Sequence, residues 1–308
     1  MGDNYLATFL MSTVRSGTPI LFALVGDLIG QRAGIISLSV EGSMLAGACA
    51  GFATAAATGN LLLAVLAAAL AGAAVGFLQA FLTVDRKANM MAAGLALMFF
   101  CQGFTAYFGG SLKNLQITGF APIRIPLLAD IPLLGEALFH QDLLTYVSYL
   151  LPVAAFFLLY KTRLGVKIRA VGAQHQVAEA YGYNARLIKY GTVIAAGVLA
   201  GVGGCQLSTA FTMTWTDNMT NGRGFVASSL VILCCWKPLR GYLAAYLFGG
   251  AQALQILFQL LQVPIPTYVT LMLPYVVTLA ALGVAALSRD PSMPEELKKL
   301  SKPLSSTE

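Results

Sequence analysis

Residues 61–84 read LLLAVLAAALAGAAVGFLQAFLTV, a stretch without a charged side chain. A helix needs roughly 20 consecutive apolar residues to cross the hydrocarbon core of a bilayer. Asp85, Arg86 and Lys87 follow directly, so the charges begin where the apolar run ends. The stretch therefore predicts a membrane-spanning helix.

The rest of the chain repeats this pattern. Of 308 residues, 57% are hydrophobic and 10% are charged, against roughly 25% charged in an ordinary soluble domain. We predict an all-α, polytopic transmembrane bundle of about nine segments, within a range of about eight to ten. It forms one membrane domain over 1–290, followed by a cytoplasmic tail over 291–308. The predicted segments cover 8–27, 35–57, 61–84, 89–110, 143–160, 190–213, 224–236, 241–262 and 267–288.

Two of these segments do not have the pattern of simple spans. The run 224–236 is short, and the run 35–57 begins after Gly34 and carries Glu41. Irregular backbone at membrane depth is tolerated where it is buried in protein or lines a cavity. We therefore predict one broken or re-entrant helix.

The basic residues predict the orientation, because cytoplasmic connections carry an excess of Lys and Arg. The connection 161–190 contains many basic residues against the single acid Glu179, so we expect it to be cytoplasmic, together with 85–87, 237–240 and the tail. The connections 111–142 and 214–223 then lie outside. The net charge of +6 follows from this topology, and no nucleic-acid partner is predicted.

Glu41 is the acid that most needs an explanation, because a carboxylate at the centre of a membrane helix costs roughly 2.5–3.5 kcal/mol. It is a candidate residue of a solute pathway, together with Ser37 and Ser39. The alternative is structural: Glu41 near a helix terminus would cap backbone N–H groups or pair with Arg32. For Ser37 and Ser39 the alternative is hydrogen bonding between helices.

The predicted cytoplasmic connection contains a second candidate feature. Good helix formers fill Ala173–Tyr181 between Gly172 and Gly182. A surface helix of about two turns suits docking into the groove of a partner protein. The alternative is a basic connector attracted to anionic lipid. The residues predicted to make this contact are Arg169, Gly172, Gln174, His175, Val177, Ala178, Glu179 and Gly182.

Enzymatic chemistry finds no support in the motifs. The sequence contains no G-x-x-x-x-G-K-[ST] phosphate loop, no H-E-x-x-H pair and no G-x-S-x-G elbow. The cysteines lie inside apolar runs without metal-ligand spacing. We expect a non-catalytic chain without a metal site.

An ordered series of short motifs runs through most of the chain. They are Thr18-Pro19, Val40-Glu41-Gly42, Ile131-Pro132-Leu133-Leu134-Gly135, Thr162-Arg163-Leu164-Gly165, Arg169-Ala170-Val171-Gly172, Gly222-Arg223-Gly224-Phe225-Val226-Ala227, Trp236-Lys237-Pro238, Leu247-Phe248-Gly249 and Leu273-Pro274-Tyr275. The series resembles permease subunits of bacterial ABC importers, in the nucleoside branch related to ribose and branched-chain amino acid permeases.

The resemblance implies a multi-pass protein of the bacterial cytoplasmic (inner) membrane. It implies a broken second helix beside the pathway, which matches 37–42, and a cytoplasmic coupling helix, which matches 172–182. The partners it implies are an ATPase subunit that holds ATP and Mg, a second and related but different permease, and an extracytoplasmic substrate-binding protein. This chain itself would bind no cofactor.

The resemblance also implies a substrate class, nucleosides or a related sugar-like or purine-like solute. Nucleoside permeases usually carry Asn at two positions where this chain has Ser37 and Met98, so the ligand or its recognition differs. Near Met98, Phe99, Phe100 and Gln102 offer stacking and hydrogen bonding to a planar ligand, although an aromatic pair is also ordinary packing. Two other functions stay open: an ion-coupled secondary transporter that uses Glu41, and a membrane scaffold that transports nothing.

Overall fold

The computed structural model describes residues 2–113, 115–124, 134–261 and 266–287. The proline-containing stretch 125–133 and the predicted tail lie outside these residues. The helices are α1 (Gly2–Arg32), α2 (Ser39–Thr58), α3 (Leu61–Ala80), α4 (Met90–Gly109), α5 (Leu134–Phe139), α6 (Leu143–Lys161), α7 (Arg163–Ala173), α8 (His175–Ala180), α9 (Ala185–Gln206), α10 (Arg223–Leu233), α11 (Gly241–Leu260) and α12 (Thr267–Leu287).

Short irregular turns extend several helices. π-helical turns at Phe81–Asp85 and Leu207–Phe211 continue α3 and α9, and 3₁₀ turns occupy Gly110–Leu112 and Pro238–Arg240. A small antiparallel pair joins β1 (Ile123–Arg124) to β2 (His140–Gln141).

All nine predicted runs fall on helices, and the prediction of an all-α polytopic bundle is confirmed. Within the described residues, 7 helices are long and apolar enough to cross a membrane. Two shorter apolar stretches, Arg223–Leu233 and Tyr268–Gly283, belong to α10 and α12. The short helices α5, α7 and α8 lie in the connections.

Helices α1 and α9 form the centre of the bundle. Helix α9 packs against α1, α2 and α3, while α1 also packs against α11. The closest approaches occur at small residues: Gly72 lies on the backbone of Gly197, and Gly47 on that of Gly201. Close backbone packing of this kind holds helices together in lipid, where no hydrophobic force acts between them.

Ion pairs group the connections as the charge pattern predicts. Arg186 pairs with Asp85 at 2.6 Å, which joins the turn after α3 to the 161–190 connection. Lys113 pairs with Asp217 at 2.5 Å, which joins the two connections predicted to lie outside. Arg32, at the end of α1, packs at the end of the bundle that holds α7. The N-terminus of α1 therefore lies at the opposite end.

Candidate functional site

Glu41 is the centre of a buried polar site. Its side chain is 2% exposed and lies in the first turn of α2. One carboxylate oxygen, Oε1, accepts hydrogen bonds from Thr220 Oγ1 at 2.6 Å and from the Gly222 N–H at 2.9 Å. The other, Oε2, accepts from the Gly224 N–H at 2.6 Å. These are charge-assisted bonds, which offset the cost of burying the carboxylate.

This arrangement matches the structural alternative from the sequence analysis, in which Glu41 caps backbone N–H groups at a helix terminus. Glu41 accepts backbone N–H groups at the start of α10, where a helix leaves its first donors unpaired and favours negative charge. The predicted pairing with Arg32 is wrong, because Arg32 donates to the Trp236 carbonyl oxygen and to Tyr160 Oη instead. Glu41 therefore joins α2 to α10, and its role in the solute pathway stays a prediction.

The contact between Glu41 and the start of α10 explains the glycines of the Gly222-Arg223-Gly224 motif. Gly222 has φ +80°, a left-handed conformation that residues with a Cβ rarely adopt. A Cβ on Gly224 would lie 2.5 Å from Glu41 Cα, so only glycine lets α10 approach α2 this closely. Tyr275 closes the site by donating to the Asn221 carbonyl oxygen at 2.9 Å. Three sequence motifs thus converge at one place.

The shortness of the 224–236 run has a structural reason. Helix α10 has 11 residues, which span about 16 Å at 1.5 Å per residue. That is roughly half of the 30 Å hydrocarbon core. The first turn of α10 contacts Glu41 inside the bundle. Beyond its other end, the Trp236 carbonyl oxygen accepts a hydrogen bond from Arg32. It is a half-helix with its N-terminus buried within the protein.

Arg223 is a site residue that the sequence analysis missed. Its guanidinium lies 5.5 Å from the centre of the Phe211 ring, and the residue stands between Gly222 and Gly224, whose N–H groups bond to Glu41. Within the described part of the chain, its Nη1 is buried without a hydrogen-bond partner. Arg223 could have been found from the sequence, because it is a basic residue beside a short apolar run. The reasoning that singled out Glu41 applies to it as well.

A second polar layer joins the ends of α1, α10 and α6. Gln31 Nε2 donates to Asp27 Oδ2 at 2.7 Å, and Trp236 Nε1 donates to Gln31 Oε1 at 2.8 Å. Arg32 donates to the Trp236 carbonyl oxygen from Nε at 3.0 Å and to Tyr160 Oη at 3.0 Å. Asp27 and Gln31 were also missed in the sequence analysis. The signal for Asp27 was a carboxylate at the end of an apolar run, the same kind of signal that singled out Glu41.

Ser37 lies in the non-helical segment that precedes α2, and Ser39 is the first residue of that helix. Their hydroxyl oxygens are 2.6 Å apart, and Ser37 Oγ accepts from the Ser39 N–H at 3.2 Å. Both residues line a cavity of about 10 Å³ together with Asp27 and Ser43, which is room for roughly one water molecule. The cavity is too small for a solute, and the serines bond to each other.

The predicted pathway residues of α4 do not all meet Glu41. Met98 does come close, since its Cα lies against Gly42. Gln102 is half-buried on the same helix. Phe99 and Phe100, however, are 62% and 59% exposed on the outer surface of the bundle. Within a single chain, the structure does not bring these two rings to the polar site.

The coupling prediction falls on α7 and α8. Thr162 caps α7, and Gly172 lies inside that helix, so its expected role as the start of a surface helix is wrong. A Cβ on Gly172 would overlap the Arg32 carbonyl oxygen. The surface helix is α8, which is shorter than predicted, and Gly182 follows it with φ +81°. Ala178 is buried, whereas His175, Gln176, Val177 and Glu179 are exposed.

The remaining predicted coupling residues lie around these helices. Arg169, on α7, stacks at 5.0 Å from the centre of the Tyr160 ring. Gln174 separates α7 from α8. The segment therefore presents one compact face away from the bundle and one face that packs on the end of α1.

Comparison with known proteins identifies the family. The profile described as "Branched-chain amino acid transport system / permease component" matches residues 8–282. A putative glucose ABC transporter permease of Haloferax volcanii is 36% identical over 306 residues, covering 92% of this chain and 93% of that protein. A guanosine ABC transporter permease of Bacillus subtilis is 29% identical, covering 90% and 91%.

A nucleoside ABC transporter permease of Lactococcus lactis is also 29% identical, covering 91% of this chain and 93% of that protein. No solved structure matches. The chain therefore belongs to the branched-chain amino acid transport system permease family, as a non-catalytic, multi-pass permease subunit of an ABC transporter in the cytoplasmic membrane, served by a separate ATPase.

Proposed function

We propose that this chain is the substrate-translocating subunit of an ATP-driven importer for a nucleoside or a related sugar-bearing solute. The observation that carries the proposal is the contact of Gly172 with the Arg32 carbonyl oxygen. It seats the coupling segment on the end of α1. Arg32 in turn holds the Trp236 carbonyl oxygen after α10, and α10 begins at Glu41. A movement of α7 and α8 is therefore transmitted to the centre of the bundle.

The exposed face of α8 is the surface for the ATPase. Val177 on α8 and Tyr181, which directly follows the helix, are large hydrophobic side chains that are 45% and 78% exposed. His175 and Glu179 flank them with polar groups. An apolar anchor with a polar rim is the usual composition of a protein interface. ATP and Mg²⁺ are held by the ATPase in this proposal, and its closure drives the alternating access of the permease.

The pathway lies on the outer face of α4, between this chain and a second permease that is related but different. Phe100, Phe104 and Phe108 follow one another along that face, with ring centres 5.9 and 4.5 Å apart. A cleft of about 390 Å³ beside Phe104 and Phe108 reaches α2. Aromatic faces suit stacking on bases and on the apolar faces of sugars. Phe99 and Phe100 can line the pathway only when this chain is paired with a second permease subunit.

The substrate class follows from what the relatives have in common. Their names give glucose, guanosine and nucleosides, and each of these carries a sugar ring. Here Ser37 bonds to Ser39 and Met98 packs on Gly42, so neither offers the amide that nucleoside permeases usually carry. We expect recognition to depend on sugar hydroxyls more than on the base. A substrate-binding protein outside the membrane delivers the solute.

The ion-coupled alternative loses its basis. Membership of an ABC permease family supplies an energy source outside this chain. Both carboxylate oxygens of Glu41 are also engaged by α10 and the turn before it. No observation favours a scaffold that transports nothing.

The test is uptake into proteoliposomes that contain the assembled transporter, its binding protein and internal ATP. We expect ATP-dependent uptake of radiolabelled guanosine or of radiolabelled glucose, the solutes named for the relatives. Val177→Asp, on the exposed face of α8, should abolish ATPase association and uptake while leaving membrane insertion unchanged. Leu115→Asp is the matched control, because Leu115 is also exposed but lies at the opposite end. Uptake that survives Val177→Asp would refute the proposal.

A further inference from the structure

A groove runs along the outer surface of the bundle between α3 and α9. It has a volume of about 700 Å³, and its apolar walls are Phe77, Phe81, Leu187 and Ile194. Gly191 lines it without a side chain. The two helices are in backbone contact further along, at Gly72 and Gly197. The groove is therefore an apolar cleft on the outer surface of two helices that are long and apolar enough to cross a membrane.

One end of this groove carries more basic than acidic side chains. Arg186 lines both the groove and an adjoining cleft of about 500 Å³, which adds Lys87 and Lys189. The Arg86 guanidinium lies 5.2 Å from the centre of the Phe81 ring. The acids in these two clefts are Asp85, which pairs with Arg186 and accepts a hydrogen bond from Tyr190 Oη, and Glu179. Three cations thus line the two clefts together with two carboxylates, and Arg86 lies beside the wall residue Phe81.

The backbone adds to this positive end. Helix α9 begins at Ala185 and is 22 residues long. Asn184, which lines the groove, caps it by accepting the Leu187 N–H at 3.0 Å. A helix N-terminus attracts phosphate through its free N–H groups and its dipole. The cationic side chains and the helix end therefore favour the same kind of ligand, an anion of the phosphate type.

The position of the groove decides between a free anion and a lipid. Its apolar walls are continuous with the outer surfaces of α3 and α9, two of the helices that are long and apolar enough to cross the membrane. Its basic end lies in the connections predicted to be cytoplasmic. Basic pockets at this level suit the head groups of anionic lipids. A phospholipid fills both halves, with an acyl chain on the aromatic walls and its phosphate at the cations.

We propose that this groove binds an anionic phospholipid of the cytoplasmic leaflet. His175 and Glu179 of α8 line the adjoining cleft, so the head group touches the segment that contacts the ATPase. The lipid thereby ties α8 to α3 and α9. The proposal is independent of the transported solute.

Native mass spectrometry of the purified full-length protein tests the proposal, with equal amounts of dioleoyl-phosphatidylglycerol and dioleoyl-phosphatidylcholine added. We expect preferential retention of phosphatidylglycerol. Lys87→Gln combined with Lys189→Gln should weaken it by about fivefold for each cation removed, the effect of one Lys or Arg near an anionic surface. Equal retention of the two lipids by the native protein would overturn the proposal.

The groove itself is tested by Gly191→Leu, which should remove the retained lipid. A Cβ at Gly191 meets no atom within 4 Å, so the substitution fills the groove without disturbing the fold. Gly103→Leu is the control, because Gly103 of α4 is equally open and lies away from the groove. Equal lipid retention by the two variants would refute the acyl-chain site. Displacement of phosphatidylglycerol by inorganic phosphate would assign the basic end to a free anion and also overturn the proposal.

Discussion

Replacement of Glu41 by glutamine tests whether the carboxylate is a structural cap. The Gly222 and Gly224 N–H groups bond to different oxygens of Glu41. A glutamine amide keeps one oxygen and presents an N–H group to the other donor. A buried donor left without a partner costs about 1–3 kcal/mol, and the surviving bond loses about 1 kcal/mol of charge assistance. The Thr220 hydroxyl adds nothing to this cost, because it can rotate to accept a hydrogen bond from the amide. We therefore expect Glu41→Gln to lower the free energy of unfolding by about 2–4 kcal/mol.

The measurement is thermal unfolding in detergent, followed by a thiol-reactive fluorophore. The fluorophore reports unfolding because the described structure buries Cys49, Cys101, Cys205 and Cys234. At roughly 2 °C per kcal/mol for a chain of this size, the midpoint should fall by about 4–8 °C. Glu179→Gln removes the same charge from an exposed position and should leave the midpoint unchanged. Loss of uptake by Glu41→Gln at an unchanged midpoint would refute the cap and return Glu41 to the pathway.

Three further substitutions probe the rest of the site. Gly224→Ala places a Cβ 2.5 Å from Glu41 Cα, so we expect the variant to fail to accumulate in the membrane as folded protein, measured by fluorescence-detected chromatography. Trp236→Phe removes the hydrogen bond to Gln31 Oε1 and should lower the unfolding free energy by about 1–2 kcal/mol in the thermal assay. Phe104→Ala changes an exposed ring, so stability should change by less than about 0.5 kcal/mol, whereas uptake by the assembled transporter should fall.

Each of these substitutions has a control within the chain. Gly103→Ala meets open space and should accumulate normally, in contrast to Gly224→Ala. Trp215→Phe removes an indole N–H that has no partner among the described residues, so it should cost less than Trp236→Phe. Leu70→Ala truncates an exposed side chain on α3 and should leave uptake unchanged. Matching effects within any pair would contradict the corresponding prediction.

The sequence predicted the helices because the signal for a membrane segment is local. Each of the nine runs is recognisable from its own residues, and the short run 224–236 became the half-helix α10. The grouping of the connections was predictable for the same reason, since it depends on counting Lys and Arg in each one.

The partners of the polar residues were not predictable, because they are distant in the chain. Glu41 bonds to residues about 180 positions away, and Arg32 bonds to Trp236. The sequence could show that Glu41 needed a partner, but not that a helix start would supply it. Gly172 was misplaced for a related reason. The prediction that Gly172 separates two helices used only the residues next to it in the sequence. Its contact in the structure is with the Arg32 carbonyl oxygen, at the end of another helix.

Helix α10 is the element that connects the two predicted functional regions. Its N-terminus is fixed to α2 by Glu41, and the Trp236 carbonyl oxygen beyond its C-terminus is fixed to α1 by Arg32. A helix of 11 residues held at both ends moves as a rigid unit. Because Gly172 packs on the same Arg32, a displacement of the coupling segment acts on α1 and α10 together. We therefore expect such a displacement to reach the bundle centre at the start of α10, where Glu41 holds the Gly222 and Gly224 N–H groups.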